Sequence, residues 1–442
     1  MRKKQKTMEE LLEEALVPEE EQPYEVPGNW VWTKLGKIAN YHNGKAFKPT
    51  DWSDKGRPII RIQDLTGTNK GEPHFFEGQI DKKHEIKSGD LLISWSATLG
   101  AYIWKGEEAV LNQHIFKVES FINKKYHYYL MQNLISSLYS KTHGSGMVHV
   151  TKKVFDEIPV PLPNLKEQKR IADKVEHLLS KIDEAKRLIE EAKETFELRR
   201  AAILDKAFRG EMMEKSHISR ESNANLYEIP INWKWKTFGD VAQVCSNLVD
   251  PKQYLELPHI APDNIEKGTG QLLEYQTIEE SKVKSPKHYF KKGQILYSKI
   301  RPYLSKVIIA EFEGLCSADM YPIETDLDAK YLFWYMLSPF FVEKASTAGS
   351  RSVLPKINKK ELGNIPIPVP PKETQKKIVR IIESALSREK QTIGYLESIV
   401  GLMEKLKQSI LSKAFRGELG TNDPTEESAI ELLKEVLQEQ VK

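Results

Sequence analysis

The sequence predicts an α/β (α+β) protein: two similar globular domains separated by a long antiparallel two-helix coiled coil, with an internal pseudo-two-fold repeat. Three observations predict it. The chain repeats itself once, each half opens with short β-like runs, and each half closes in a long helical stripe. Tyr24-Glu25-Val26-Pro27 followed by Asn29-Trp30-Val31-Trp32 returns as Tyr227-Glu228-Ile229-Pro230 followed by Asn232-Trp233-Lys234-Trp235, a shift of 203. Lys206-Ala207-Phe208-Arg209-Gly210-Glu211 returns as Lys413-Ala414-Phe415-Arg416-Gly417-Glu418, a shift of 207. A solenoid unit runs roughly 20–50 residues, so this period is that of a whole domain plus its connector. Two like halves imply two like sites, presented to something that also has two.

The elements follow in order. Residues 1–22 form an N-terminal helical segment, acidic and amphipathic after a basic start, with Leu11, Leu12, Ala15 and Leu16 as its stripe. Residues 23–163 form the first globular domain and residues 226–371 the second. Arg57-Pro58-Ile59-Ile60-Arg61-Ile62, Asp90-Leu91-Leu92-Ile93-Ser94-Trp95 and Gln294-Ile295-Leu296-Tyr297-Ser298 read as strands punctuated by Gly, Asp and Asn. Helical patches follow over 125–140 and 329–345. The proline runs 158–163 and 365–371 read as domain boundaries, because proline continues neither a ladder nor a helix interior.

After each proline run comes a coiled-coil helix, over 164–212 and 372–418. In the first, Ile171, Val175, Leu178, Ile182, Ala185, Ile189, Ala192 and Phe196 alternate steps of four and three. In the second the stripe is Ile378, Ile382, Ala385, then Ile393, Leu396, Ile399, Met403, Leu406 and Ile410. Gly394 and Gly401 lower its helix propensity. Each stripe alone fits an ordinary core-facing helix; two at equivalent positions favour pairing. Helix one leaves domain one and ends at domain two, and helix two returns, so the pair is antiparallel with a head at each end. Residues 165–207 would span roughly 65 Å as helix. Residues 213–225 are a linker, and 419–442 a C-terminal tail helix.

Composition narrows the class. The net charge of +3 is too small to demand a polyanionic partner. Two cysteines, far apart, fit a reduced, cytoplasmic protein. No apolar run approaches the ~20 residues of a membrane span. There is no phosphate-binding G-x-x-x-x-G-K-[ST] loop, no Pro-Pro-aromatic base-holding motif and no zinc spacing. One nuclease-like pattern exists, Asp263 with Glu280 and Lys282, and it is of a kind that arises readily by chance in a Lys/Glu-rich chain.

Nearly the whole chain resembles the specificity (S) subunit of type I restriction–modification systems. The strings that carry this are the Tyr-Glu-Val-Pro-x-Asn-Trp opening, Ser88-Gly89-Asp90-Leu91-Leu92-Ile93-Ser94, and the run 158–163 before Glu167-Gln168. The Lys-Ala-Phe-Arg-Gly-Glu helix ends, Lys299-Ile300-Arg301-Pro302-Tyr303-Leu304 and Ala348-Gly349-Ser350-Arg351 add to them. The resemblance implies that the globular domains are target recognition domains, each reading half of a split DNA sequence, and that the chain is not itself an enzyme. It implies double-stranded DNA, two methyltransferase subunits and motor-nuclease (restriction) subunits as partners, with no membrane. S-adenosylmethionine, ATP and Mg belong to those partners, and this chain has no cofactor. The alternatives are a stand-alone metal-dependent nuclease using the Asp263 trio, or a structural coiled-coil scaffold.

DNA-contact candidates are Lys45 and Lys48 beside Gly44 and Phe47; Asn112, Gln113 and His114, of which the Asn and Gln amides suit adenine edges; and His143, Ser145 and Lys152 in a Gly/Ser-rich basic stretch. In the second half they are Lys299 and Arg301 after a strand, with Arg351, Ser352 and Lys356. Trp30, Trp32, Trp233 and Trp235 read as core. Unlike residues at equivalent positions predict an asymmetric target. Leu179, Leu188, Leu198 and Ile203, apolar beyond the seam, are candidates for docking the methyltransferase. The tail 428–440 and the stripe at 11–16 either dock too or meet each other on the chain's own surface.

Overall fold

The structure is a computed structural model. It describes residues 6–69, 71–96, 98–141, 151–213, 226–348 and 355–441. The chain forms two compact units, Met1–Arg187 with Ser398–Lys442, and Leu188–Glu397. In the first unit the order is α1 (Met8–Ala15), β1 (Val31–Lys34), β2 (Ala39–Asn43), β3 (Arg57–Ile60), α2 (Ile62–Thr66), β4 (Phe75–Phe76), β5 (Glu85–Ile86), β6 (Leu91–Ser94), β7 (Gly100–Ile103), β8 (Ala109–Leu111), β9 (Ile115–Ser120), α3 (Lys124–Lys141), α4 (Lys152–Asp156) and β10 (Pro159–Leu162). Helix α5 (Leu165–Phe208) leads into the second unit. There follow β11 (Lys234–Thr237), α6 (Phe238–Val241), β12 (Ala242–Val244), β13 (Leu248–Val249), β14 (Pro258–Ile260), β15 (Gln276–Thr277), α7 (Ile278–Ser281), β16 (Lys287–Phe290), β17 (Ile295–Ser298), β18 (Val307–Ile309), β19 (Gly314–Cys316), β20 (Met320–Thr325), α8 (Ala329–Met336), α9 (Pro339–Ala348), α10 (Lys359–Gly363) and β21 (Pro366–Val369). Helix α11 (Lys372–Phe415) returns to the first unit, which α12 (Ala429–Val441) completes.

The two units share a topology. The first holds the sheet β2-β9-β6-β7 and the second β12-β20-β17-β18, both antiparallel. Each has a further sheet with one parallel pair, β3 with β8 and β14 with β19. Strands β6 and β17 carry Leu-Leu-Ile-Ser and Ile-Leu-Tyr-Ser and are buried along their length, as central strands covered on both faces must be.

The proline runs are not breaks. Both are strands, β10 against β1 and β21 against β11, with Pro161 opposite Trp32 and Pro368 opposite Trp235. An antiparallel ladder needs N–H donors at alternate residues only, so a two-stranded ribbon tolerates Pro-x-Pro. Their carbonyls are used as well. Tyr126 donates to Pro161 (2.8 Å), and Tyr331 and Tyr335 donate to Pro368 and Pro366 (both 2.6 Å). Behind the prolines, the buried amides of Gln168 and Gln375 donate to Pro163 (2.8 Å) and Pro370 (2.9 Å) and accept from the backbone of Asn123 and Asp328. The helix expected over 329–345 is two helices, because Pro339 supplies no N–H and the chain turns at Leu337-Ser338.

Helix segments close each core. In the first unit Ile171, Val175, Leu179 and Ile182 of α5 pack with Ile410, Leu411, Ala414 and Phe415 of α11. Lys174 reaches the Leu419 carbonyl while Lys186 pairs with Glu404, so the two segments run antiparallel. In the second unit Leu204, Ala207 and Phe208 share a core with Ile378, Val379, Ile382 and Leu386. The α11 stripe departs from the expected one. Ile399 and Leu406 are exposed, while Val400, Met403 and Lys407 are half-buried. A seven-residue repeat through Ile393, Val400 and Lys407, and through Leu396, Met403 and Ile410, takes the inward face instead. Gly394 and Gly401 lie within the unbroken helix with open space around them.

The chain's ends meet in the first unit. Leu433, Val436 and Leu437 of α12 are buried, with Leu11 and Leu12 of α1 packed against the same core. The tail is thus occupied within this unit and is not a free docking helix.

The repeated helix-end motif has one job in both units. Phe208 and Phe415 are buried edge-on against Tyr331 and Tyr126. Arg209 and Arg416 lie over the rings of Tyr227 and Tyr24, at 4.5 and 4.4 Å. Gly210 and Gly417 have φ of +79° and +75°, and a Cβ at either would overlap the ring of Pro230 or Pro27. Gly417→Ala should therefore destabilise the first unit by about 1 kcal/mol or more from the left-handed backbone alone. It should cost clearly more than Gly420→Ala, where φ is +66° but space is open. Urea denaturation of the two variants makes the comparison.

Within the first unit His127 is fully buried between Tyr41 and Ser120, 2.9 Å from each hydroxyl, and burial pushes its pKa from the ordinary 6.5 down to about 3. The folded state keeps the imidazole neutral while the unfolded chain protonates it. Stability from this site is full above about pH 6.5 and is lost as pH falls toward 3. His127→Gln should flatten that part of the urea-midpoint profile.

Candidate nucleic-acid interface

In the first unit three segments converge where β3 and β8 end and β9 begins. The Asn112 amide donates to the Ile60 carbonyl (3.0 Å), which seats the turn after β8 beside the residue following β3. Gly44 N–H reaches the Ile115 carbonyl (3.0 Å), Lys45 N–H the Leu111 carbonyl (2.8 Å), and Gln113 N–H returns to the Lys45 carbonyl (3.0 Å). A Cβ at Gly44 would overlap the Asn112 carbonyl, so only glycine allows this approach. Lys45, Asn112, Gln113 and His114 are therefore neighbours although 67 residues separate Lys45 from Asn112.

Their side chains divide by role. Asn112 Oδ1 accepts from the Gln113 backbone (2.8 Å), so Asn112 shapes the turn, while the exposed Gln113 amide faces outward. His114 holds φ +73°, a strained value for a residue with a side chain, and its ring lies 5.1 Å from that of Trp95. Trp95 is tied to Asn43 Oδ1 through its indole N–H (3.0 Å). Lys45 Nζ sits 4.9 Å from the Phe76 ring centre and 5.4 Å from that of Phe47. Lys48 is exposed at the start of the turn Pro49–Asp51.

The second unit builds the same corner from other side chains. Ser317 N–H bonds Ile260 O (2.8 Å) as Asn112 N–H bonds Ile60 O, and Lys299 N–H bonds Asp319 O (2.9 Å) as Trp95 N–H bonds His114 O (3.2 Å). Lys299 thus stands where the first unit has Trp95, Asp319 where it has His114, and Ala261 where it has Arg61. Arg301 N–H bonds Pro355 O (2.8 Å) and Ile357 N–H bonds Lys299 O (2.9 Å), which brings Lys356 alongside. Asp319 lies between the two lysines, 3.2 Å from Lys356 Nζ and 3.9 Å from Lys299 Nζ. Arg301 is exposed with φ +48°.

Other candidates are placed differently. His143, Ser145, Arg351 and Ser352 lie outside the described residues. Lys152 pairs with Asp156 (2.6 Å) on α4, which packs on the turn Leu35–Lys37 at the start of β2 rather than at its Asn43 end. Trp30, Trp32 and Trp233 are buried and Trp235 half-buried. Sequence reasoning missed Trp52, His74, Arg61 and Trp95, since the first three reach this corner only through the pairing of β3 with both β8 and β4. Of the docking candidates, Leu179 is 7 % exposed in the first core and Ile203 packs on the second, so neither is available. Leu188 and Leu198 are 52 % and 74 % exposed. The nuclease trio does not assemble: the Glu280 carboxylate caps its own helix at Thr277 (2.9 Å), and Asp263 stands in solvent near Lys306. No cluster of three or more His, Cys, Asp or Glu fit for a metal exists among the described residues. No described helix is long and apolar enough to cross a membrane.

Comparison with known proteins agrees with this architecture. The model of the type I restriction modification DNA specificity domain matches twice, at residues 27–194 and 230–395. The type I restriction enzyme EcoDI specificity subunit of Escherichia coli is 39% identical over 323 residues, covering 70% of this chain and 73% of that protein. The EcoBI specificity subunit of Escherichia coli is 26% identical over 413 residues, covering 88% and 86%. Among solved structures, one titled for complex assembly and conformational transition of the type I R-M system aligns with a TM-score of 0.64 at 20% identity, covering 90% of this chain and 100% of that one. The HsdS subunit from Thermoanaerobacter tengcongensis aligns at 0.50 and 21% identity, over 90% and 100%; both support the fold. With its domain matched twice over most of its length, the chain belongs to the type I restriction modification DNA specificity family.

Proposed function

We propose that this chain, a non-catalytic DNA-recognition subunit of the type I restriction–modification class, reads a bipartite and asymmetric target, one half-site per unit. The observation that carries this reading is the pair of equivalent corners. They share a backbone hydrogen-bond framework and differ in side chains: Trp95, His114 and Arg61 in one, Lys299, Asp319 and Ala261 in the other. Equal frameworks approach DNA alike, and unlike side chains read unlike bases. Lys45, Lys48 and Lys356 serve phosphates as point charges, while Gln113 and Arg301 address base edges. Methyl transfer and ATP-driven cleavage fall to partner subunits in the cytoplasm, which hold S-adenosylmethionine, ATP and Mg.

In the assembled complex, Lys45→Ala and Lys356→Ala should each weaken binding to all sequences and shallow the slope of log affinity against log salt by about 1. Gln113→Ala and Arg301→Ala should each relax one base position, in different half-sites, when methylated sites are mapped across a genome. If both relaxed the same half-site, the one-unit, one-half-site reading would be wrong.

Leu188 and Leu198, exposed on α5, form the docking face for the methyltransferase in this reading. A double change to Glu places two charges in a desolvated contact, at a cost of several kcal/mol if unpaired. Co-purification with the methyltransferase subunit should fail while circular dichroism stays native. Stoichiometric recovery would rule this face out.

A further inference from the structure

We propose that Arg61 reads a guanine in the half-site addressed by the first unit, and that Trp52 and His74 hold it in reading position. The inference rests on the recognition role above and assigns one base to one side chain. Arg61 follows β3 directly, and the residue after its strand is pinned beside the Asn112-Gln113 turn by the bond from Asn112 N–H to Ile60 O (3.0 Å). It therefore stands at the corner that Lys45 and Gln113 share. Its guanidinium carbon lies 5.0 Å from the centre of the Trp52 ring. Trp52 is 39 % exposed and stacks on His74 at 3.9 Å with 21° between the planes.

Three features point to a base rather than a phosphate. First, the guanidinium makes no ion pair or hydrogen bond among the described residues. Arg57, four residues earlier, has both: Glu85 at 2.6 Å and the Gly78 carbonyl at 2.8 Å. A nearby arginine used for structure is thus bonded through both terminal nitrogens, and Arg61 keeps its donors open. Second, an aromatic face beside a guanidinium restrains a flexible side chain and lowers the ordering cost of binding. A phosphate can be met from many directions, as Lys45 and Lys48 can do. A planar fork of fixed orientation matches the O6 and N7 acceptors on the major-groove edge of guanine. Third, the second unit has Ala261 at the equivalent position, after Ile260 whose carbonyl accepts from Ser317 (2.8 Å). A general phosphate clamp would be expected in both readers, whereas a base-specific group differs between them.

The test uses the complete complex with its methyltransferase, the methylated sites being mapped genome-wide for wild type, Arg61→Ala, Arg61→Lys, Trp52→Phe and Trp52→Leu. Affinity is measured in parallel on duplexes carrying each base at every position of the first half-site. In wild type one guanine should be required. Arg61→Ala should reduce the preference for that guanine on the order of 10- to 100-fold and leave the other half-site and the spacer unchanged. Arg61→Lys keeps charge without the fork and should relax the same position less. Trp52→Phe should preserve the motif, whereas Trp52→Leu should weaken the guanine preference while still favouring guanine, the result expected of a positioning residue. The proposal is overturned if Arg61→Ala weakens all duplexes equally with the motif intact, which marks a phosphate contact, or if motif and affinity are both unchanged. In either case a bipartite wild-type motif, with Gln113→Ala and Arg301→Ala acting on separate halves, leaves the recognition role standing. Thermal unfolding of Arg61→Lys and Trp52→Phe at the wild-type midpoint excludes misfolding as the cause.

Discussion

Everything else in this chain depends on how a helix end closes onto a domain opening that lies far away in sequence. Phe415 lies beside Tyr126, Arg416 rests on the Tyr24 ring, and Gly417 turns against Pro27; Phe208, Arg209 and Gly210 repeat this on Tyr331, Tyr227 and Pro230. The phenylalanines supply buried apolar area, the arginines a cation over an aromatic face, and the glycines a left-handed backbone that lets the chain approach a proline ring. No single interaction of the three carries the contact. The helix that starts after the first domain closes the second, and the helix that starts after the second closes the first. Neither core is complete without a segment drawn from elsewhere in the chain.

On that shared framework the two units are free to differ where the strands run out. Backbone bonds at the corner, from the Asn112 or Ser317 amide to an isoleucine carbonyl, do not depend on side-chain identity. The same framework accordingly carries Trp95, Arg61 and His114 in one unit and Lys299, Ala261 and Asp319 in the other. Buried Leu91, Ile93, Ile295 and Tyr297 hold the strand, and the residue one step beyond its end, Trp95 or Lys299, is only half-buried.

The first unit also carries what the second does not. Helices α1 and α12 pack onto its core, and Arg170 forks onto Glu426 (2.9 and 2.7 Å), holding that carboxyl down to about 2. Nearby, the Trp30 indole donates to the buried Glu167 carboxylate (3.0 Å), whose pKa burial nonetheless raises. The repeat at this point has Thr374 in place of Glu167, so the tail-binding corner belongs to the first unit alone.

The sequence by itself determined the duplication, the fold class, the family, and the two long helices, whose starts it placed within one residue and whose ends it ran three or four residues too far. Each of these is written in local pattern: a recurring string, a period of two or of three and four, a long run of residues with no proline. It also placed Lys45, Gln113, Lys299, Arg301 and Lys356 among the candidates, because basic and amide side chains next to strand ends are visible without a fold. What only the tertiary structure decided is what depends on pairing across distance. The proline runs became strands because β1 and β11 lay beside them. Leu179 and α12 became core because other segments covered them, and Val400 and Lys407 took the places expected of Ile399 and Leu406 on α11 because the chosen face is set by what it packs against. Trp52, His74 and Arg61 became one stack because β4 pairs antiparallel with β3 and Ser53 bridges Phe75, and the parallel pairing of β3 with β8 set that stack beside the Asn112 turn. Periodicity records which residues prefer burial. It does not record which partner buries them, and the choice of partner is made by the whole chain at once.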